Sequence, residues 1–238
     1  MPKQDKDNVE IIITTFLLIS LIFLAINFNL QLGTIFSTMI LTSVFLYFAL
    51  PATITHNTKP KNTFNAVIIA AFSLAILLII TFFVSSAFQG ILNVTAQPTL
   101  GSILSSGFST LGIDKVVQST EPVLAKNPLI TLFAFGVIIA TIETRFLARI
   151  AEALGKFTNI DITKINIKSI ALFVLVSLIF VWYHFNAKGV NANVALFLTF
   201  IFAMISLILI SRFKEIESAT YLHVFNNTLF ILPQIQGG

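Results

Sequence analysis

The sequence has no cysteine and few charged residues, and each shortage excludes a class of protein. With no Cys among its 238 residues, the chain has no disulfide, no thiolate nucleophile and no cysteine metal ligand. Charged residues make up 10% of the sequence, against roughly 25% in a soluble domain. Hydrophobic residues make up 56%, and the mean hydropathy is +0.95. Most of the surface must therefore face lipid, and we expect an integral, multi-pass membrane protein.

Long apolar segments divide the chain at the scale of a membrane, since about 20 apolar residues cross a bilayer core as a helix. Seven such segments are predicted, namely Val9–Phe28, Leu32–Ile54, Phe64–Phe88, Pro128–Leu154, Ile167–Ala187, Asn191–Phe213 and Ser218–Leu232. The sequence thus predicts an all-α fold, a polytopic transmembrane helical bundle of about seven spans. We expect a single membrane domain over residues 1–238, with three helices and an outer segment in 1–127 and four helices in 128–232.

Basic residues indicate the orientation of the bundle. With a cytoplasmic N-terminus, eleven basic residues fall inside, namely Lys3, Lys6, Lys59, Lys61, Arg145, Arg149, Lys156, Lys164, Lys168, Arg212 and Lys214. Lys115, Lys126 and Lys188 fall outside, which accounts for all 14 Lys and Arg residues. The positive-inside rule therefore favours a cytoplasmic N-terminus. Because these cations lie between apolar runs, the net charge of +4 does not indicate nucleic acid as a partner.

The segment Gln89–Asn127 is too long for a simple connection, since loops over about 12–15 residues are usually functional or contain hidden structure. It mixes Gly, Ser, Thr and Pro with modest apolar content. Two interpretations remain open. Residues Thr99–Val117 can form a re-entrant or interfacial helix, or the segment can be a flexible outer loop.

Four polar residues within the later apolar segments are candidates for a functional site. Glu143, His184 and His223 lie on three different predicted helices, and Asn227 lies one turn after His223. An ionisable group inside a membrane is costly, so by default it indicates a site. Each also has a structural interpretation. His184 lies among aromatic residues near a helix end and can be an interface anchor, and His223 with Asn227 can provide hydrogen bonds between helices.

Helical spacing separates Glu143 from the other charges of its helix. Glu143 shares a face with Phe146, Leu147 and Ile150, so it should point toward other helices. A second stripe has three- and four-residue spacing and consists of Arg145, Arg149, Glu152 and Lys156. This stripe is typical of a solvated or headgroup-facing flank, with salt-bridge support between Arg149 and Glu152.

Three classes of intramembrane hydrolase are disfavoured because their required residues are missing. A zinc protease of the site-2 type needs His-Glu-x-x-His, which the sequence does not contain. A presenilin-type enzyme needs two membrane aspartates, but Asp5, Asp7, Asp114 and Asp161 lie in the tail and loops. A rhomboid needs Gly-x-Ser-Gly, and Gly107-Phe-Ser-Thr110 lacks the last glycine. A glutamate-based mechanism remains open.

The later helices resemble the CPBP family, the CAAX-prenyl-endopeptidase and bacteriocin-processing (Abi) membrane proteins. The family pattern is Glu-Glu-x-x-x-Arg, then Phe-x-x-x-His, then His-x-x-x-Asn on successive late helices. Phe180-x-x-x-His184 and His223-x-x-x-Asn227 match in order, and the stretch from Arg212 to His223 resembles the turn before the final helix. The resemblance covers roughly Pro128–Leu232.

The first family motif is degenerate here. Glu143 has Ile142 before it and Thr144 after it, so one of the two glutamates is present, and the arginine position falls on Leu147 or Ala148. The resemblance implies a metal-independent glutamate endopeptidase without a cofactor or a bound metal. Its implied catalytic residues are Glu143 as the base, His184 as its polarising partner, and His223 with Asn227 as donors to the oxyanion.

The sequence therefore leaves three functions open. The first is a CPBP-like protease whose partners are the bilayer and a peptide or protein substrate. The alternative is a catalytically inactive scaffold or structural subunit that binds partner membrane helices, which the degenerate first motif favours. A transporter is the third, but its internal repeats are not visible in the sequence.

Overall fold

A computed structural model describes residues 63–91, 128–188 and 193–236. These residues are helical apart from the turns at 158–166 and 214–216, and no β-strand occurs in these three ranges. The all-α prediction is confirmed for them. The predicted helices Val9–Phe28 and Leu32–Ile54, and the candidate helix Thr99–Val117, lie outside the described residues.

The described residues form five long helical elements, the second of which consists of three parts. The first helix is α1 (Thr63–Ile91). The second element consists of α2 (Pro128–Thr131), a π-helical segment π1 (Leu132–Ile139) and α3 (Ala140–Phe157). After a turn come α4 (Ile167–Lys188), α5 (Asn193–Phe213) and α6 (Glu217–Gln236). The predicted ends of α4 and α5 are within two residues of these bounds, because apolar length alone determines them.

Two helices in the described part of the chain are long and apolar enough to cross a membrane. They cover Thr63–Val84 in α1 and Leu196–Phe213 in α5, and a shorter apolar stretch covers Ile167–Trp182 in α4. Large apolar side chains are exposed along these helices, including Phe72, Phe83, Leu178 and Trp182. Water is a poor solvent for such a surface, so the exposed side chains support association with a membrane.

The core of the bundle lies around α3, which packs against α4, α5 and α6. Phe146 and Leu147 of α3 are fully buried, together with Phe173 of α4, Leu207 of α5 and Leu222 of α6. Because neighbours cover it on several sides, almost every residue of α3 from Ala140 to Glu152 is buried. The helix that carries Glu143 is therefore the central one among the described elements.

The charged stripe of α3 is buried, so its interpretation as a solvated flank was wrong. Arg149 and Glu152 are each 3% exposed, and Arg149 Nη1 lies 3.5 Å from Glu152 Oε2. Arg145 is also buried, and its charge acts on Glu217 at the start of α6. Only Lys156, at the end of the stripe, is exposed. Periodicity identified the stripe correctly, but packing of neighbouring helices around α3 covers it, and pairing offsets part of the cost of burying charge.

Candidate functional site

Glu143 lies in the first turn of α3 and is 6% exposed. Its two carboxylate oxygens reach different helices. Glu143 Oε1 lies 3.3 Å from His184 Nε2 on α4, and Glu143 Oε2 lies 3.0 Å from His223 Nε2 on α6. Three residues that are far apart in sequence thus form one buried cluster, which we call the Glu-His-His cluster.

The π-helical segment precedes Glu143 by one turn and packs against α6. Such segments are rare and often lie at functional sites. Gly136 permits the close approach of α6, because a Cβ atom at this position would lie 3.1 Å from Thr228 Oγ1. A larger side chain would push α6, and with it His223, away from α3.

His184 is oriented by the residue one turn before it on α4. Its Nδ1 lies 2.8 Å from the carbonyl oxygen of Phe180, and its ring packs on the Phe180 ring with 4.4 Å between centroids. Phe180 is itself fully buried. The Phe-x-x-x-His spacing therefore has a physical role, since Phe180 fixes the ring so that Nε2 faces Glu143.

His223 is oriented by Thr144, the residue directly after Glu143. His223 Nδ1 lies 3.0 Å from Thr144 Oγ1, and the Thr144 hydroxyl donates to the carbonyl of Ala140 at 2.8 Å. On its other side the His223 ring meets Phe202 of α5 edge-on, with 4.6 Å between centroids. Sequence reasoning missed Thr144 and Phe202 as site residues, since a hydroxyl and an aromatic ring within an apolar helix carry no distinctive signal.

The hydrogen-bond partners determine where protons lie in the cluster. A carbonyl oxygen only accepts, so His184 Nδ1 carries a proton toward Phe180. Thr144 has one hydroxyl hydrogen, which goes to Ala140, so His223 Nδ1 must donate to Thr144. Both Nδ1 atoms are therefore protonated.

Both Nε2 atoms face the Glu143 carboxylate, at 3.3 and 3.0 Å. The cluster thus combines a buried carboxylate with two imidazole rings, in a position where electrostatic interactions are strong.

Asn227 lies one turn after His223 on α6, as predicted, but its contact is with π1. Its Nδ2 donates to the carbonyl oxygen of Phe135 at 3.2 Å. Where a π-helix changes to an α-helix, the bonding pattern shifts by one residue, and a carbonyl near the junction needs another donor. An amide nitrogen has two hydrogens, so Asn227 retains one for a ligand.

The four predicted site residues thus differ in their placement. Glu143, His184 and His223 are in mutual contact through Glu143, and Asn227 supports the π-helical segment beside them. No group of three or more His, Cys, Asp or Glu side chains in the described ranges has an arrangement suited to holding a metal ion. Comparison with protein-family models, curated proteins and solved structures found no match to this chain.

Proposed function

We propose that the chain is a multi-pass integral membrane protein of about seven spans with a cytoplasmic N-terminus. Two apolar helices of sufficient length and the exposed apolar side chains of α1 and α4 support this topology. The distribution of Lys and Arg supports the orientation. In this arrangement Glu143 lies in the cytoplasmic half of its span.

We further propose that the protein hydrolyses a peptide bond without a metal, as a CPBP-like glutamate endopeptidase. One observation carries this proposal: the buried Glu143 carboxylate contacts Nε2 of both His184 and His223, at 3.3 and 3.0 Å. General bases act through hydrogen bonds of about 2.6–3.2 Å or through one water. A carboxylate has about four acceptor sites, so Glu143 can also hold a water molecule.

The reaction begins with proton transfer from this water to Glu143. The water oxygen attacks the peptide carbonyl, a C–O bond forms, and the carbonyl oxygen becomes an oxyanion. The second Asn227 hydrogen stabilises this charge, and a donor of this kind typically contributes a few kcal/mol. His223 Nε2 stays in contact with Glu143. The C–N bond then breaks, and Glu143 returns the proton to the leaving amine. His184 holds the carboxylate in position throughout.

A second candidate function is that of a catalytically inactive scaffold. The contacts of Glu143 favour it too, because they join three helices. The Glu-His-His cluster connects α3, α4 and α6, so it can act purely as a polar link between helices. At the two positions where the family arginine would fall, Leu147 and Ala148 are buried in the apolar core. In this case the exposed apolar helices would bind partner helices.

The two functions are separated by one experiment on the full chain in lipid nanodiscs. A library of membrane-derived peptides is incubated in heavy-oxygen water, and mass spectrometry identifies new C-termini that carry the heavy isotope. An enzyme gives such termini, and Glu143→Gln abolishes them while Glu215→Gln does not. Glu215 is a matched control because its carboxylate accepts from Ser218 at 2.7 Å, outside the cluster. No labelled termini from the folded wild-type protein would favour the scaffold.

A further inference from the structure

A cavity of about 360 Å³ lies between the turn that joins α3 to α4 and the end of α5. It is separate from the Glu-His-His cluster and shares no residue with it. Its lining has three cationic and two hydroxyl side chains, and consists of Thr163, Lys164, Ile165, Ser211, Arg212 and Lys214. This combination of donors is suited to an anion.

The positive charge of the cavity is only partly compensated. Lys164 Nζ lies 3.4 Å from Asp161 Oδ2, and both side chains are largely exposed. Among the described residues, neither Arg212 nor Lys214 has an ion-pair partner. Three cations and one carboxylate leave two positive charges at the cavity.

Local hydrogen bonds hold the cationic residues in place. Asp161 Oδ1 accepts from the backbone N–H and the hydroxyl of Thr163, at 3.0 and 2.7 Å. Ser169 donates to the carbonyl oxygen of Lys164 at 2.6 Å. On the other side of the cavity, the backbone N–H of Lys214 donates to the carbonyl oxygen of Ile210 at 2.9 Å. Hydrogen bonds to the backbone therefore hold Lys164 and Lys214 in place.

The cavity lies where an apolar helix ends. The apolar stretch of α5 covers Leu196–Phe213, and Arg212 is one residue before its end. Ile165 and Phe213 are exposed next to the cavity residues. If α5 crosses the bilayer, this places the cations at the level of the lipid headgroups, with apolar side chains beside them. Basic pockets on the cytoplasmic side are typical sites for acidic headgroups.

We propose that this cavity binds the phosphate group of an acidic phospholipid at the cytoplasmic surface. Arg212 and Lys214 neutralise the phosphate, and Lys164 contributes from the opposite side. The assignment of this phosphate to a lipid rests on the proposed membrane topology. The proposal is independent of the Glu-His-His cluster, so the protein can bind such a lipid whether or not it is an enzyme.

The test measures ligand binding to the full chain in neutral detergent by native mass spectrometry. The probes are a short-chain phosphatidylglycerol, the corresponding phosphatidylcholine, and inorganic phosphate. The double variant Arg212→Gln/Lys214→Gln is compared with Lys156→Gln/Lys168→Gln, which removes the same charge from exposed positions outside the cavity. Lys164→Gln and Arg212→Gln serve as single variants, and far-UV circular dichroism verifies that each protein is folded.

We expect phosphatidylglycerol to bind more tightly than phosphatidylcholine, and the cavity double variant to weaken its binding at least about tenfold. The exposed double variant should change it less than about twofold. If the cavity double variant does not fold, Lys164→Gln and Arg212→Gln must each weaken binding several-fold. Equal binding of both lipids, or equal loss in both double variants, overturns the site. If inorganic phosphate binds as tightly as phosphatidylglycerol, with the same loss of binding in the cavity double variant, the claim that the bound phosphate belongs to a lipid is refuted.

Discussion

Thr144 and His223 lie 79 positions apart in the sequence, yet they meet at 3.0 Å in the interior of the bundle. This contact gives the uncharged residue Thr144 a role in orienting His223. By accepting from His223 Nδ1, Thr144 requires Nε2 to be the atom that faces Glu143. The residue next to the candidate base therefore orients one of its two partners.

Replacing Thr144 with Val should release His223 from this orientation. Valine has nearly the same shape as threonine but no acceptor, so the Nδ1 proton would be buried without a partner, at a cost of about 1–3 kcal/mol. Nitrogen NMR of labelled histidine should show a changed tautomer for His223 and an unchanged His184. Thr141→Val is the matched control, because the Thr141 hydroxyl bonds only to the Val137 carbonyl at 2.7 Å. An identical NMR response to both substitutions would refute the orienting role of Thr144.

Glu143→Gln should destabilise the bundle less than Glu143→Leu. An amide offers one oxygen and one NH2 group, so it can still bond to a histidine Nε2 whether or not that atom carries a proton. Leucine leaves both Nε2 atoms without a partner, and an unpaired buried polar group costs about 1–3 kcal/mol.

This difference can be measured as the free energy of unfolding in mixed detergent at pH 7. A loss of stability as large in Glu143→Gln as in Glu143→Leu would contradict the contacts of Glu143 with the two Nε2 atoms.

Gly136→Ala should destabilise the protein through a contact with α6. Alanine is favoured over glycine in a helix by about 1 kcal/mol, but its Cβ would lie 3.1 Å from Thr228 Oγ1. Overpacking typically costs about 1–3 kcal/mol, so the contact should outweigh the gain. In a Thr228→Ala background the obstruction is removed, and the same substitution should stabilise the protein. Thermal unfolding of the four proteins of this double-mutant cycle shows whether Gly136→Ala stabilises or destabilises the protein in each background. A change in the same direction in both backgrounds would contradict the close approach of α6.

Glu217 should make stability depend on pH. Burial raises the pKa of Glu217, Glu215 raises it further, and Arg145 opposes the rise. The folded state therefore holds the proton to a higher pH than the unfolded state, whose carboxyl titrates near the ordinary value of 4.5. The resulting stability is complete below that value and is lost as pH rises through the folded-state pKa.

Glu217→Gln should thus remove a decrease in stability between pH 4.5 and neutral pH, and should raise the thermal unfolding temperature at pH 7. Glu215→Gln leaves Glu217 half-buried and should retain most of the decrease. The same dependence of the unfolding temperature on pH in the wild type and in Glu217→Gln would contradict the raised pKa of Glu217.

The sequence predicted the described helices well because apolar length determines them, as the bounds of α4 and α5 illustrate. It also identified Glu143, His184 and His223 as members of one candidate site, because ionisable residues in apolar helices are uncommon. It could not reveal π1, because the apolar run Leu132–Ile139 has the same composition as an α-helix. Nor could spacing along α3 show that other helices cover the charged stripe, since periodicity defines faces but not which of them acquire neighbours.

Asn227 shows a further limit of the sequence. Its four-residue spacing from His223 correctly placed both residues on one face of α6. The spacing did not show that the amide would donate to the Phe135 carbonyl, because that acceptor is backbone and its position depends on the π-helical segment.

The central claim is that Glu143 acts as a base without a metal. The most direct measurement is the rate of peptide cleavage by chelator-treated protein, with metal content determined on the same sample, for the wild type and Glu143→Gln. We predict that the metal-free wild type retains its full rate and that Glu143→Gln loses at least about 100-fold, the lower range for loss of a general base. Cleavage that disappears with the metal, or that persists in folded Glu143→Gln, would contradict the account.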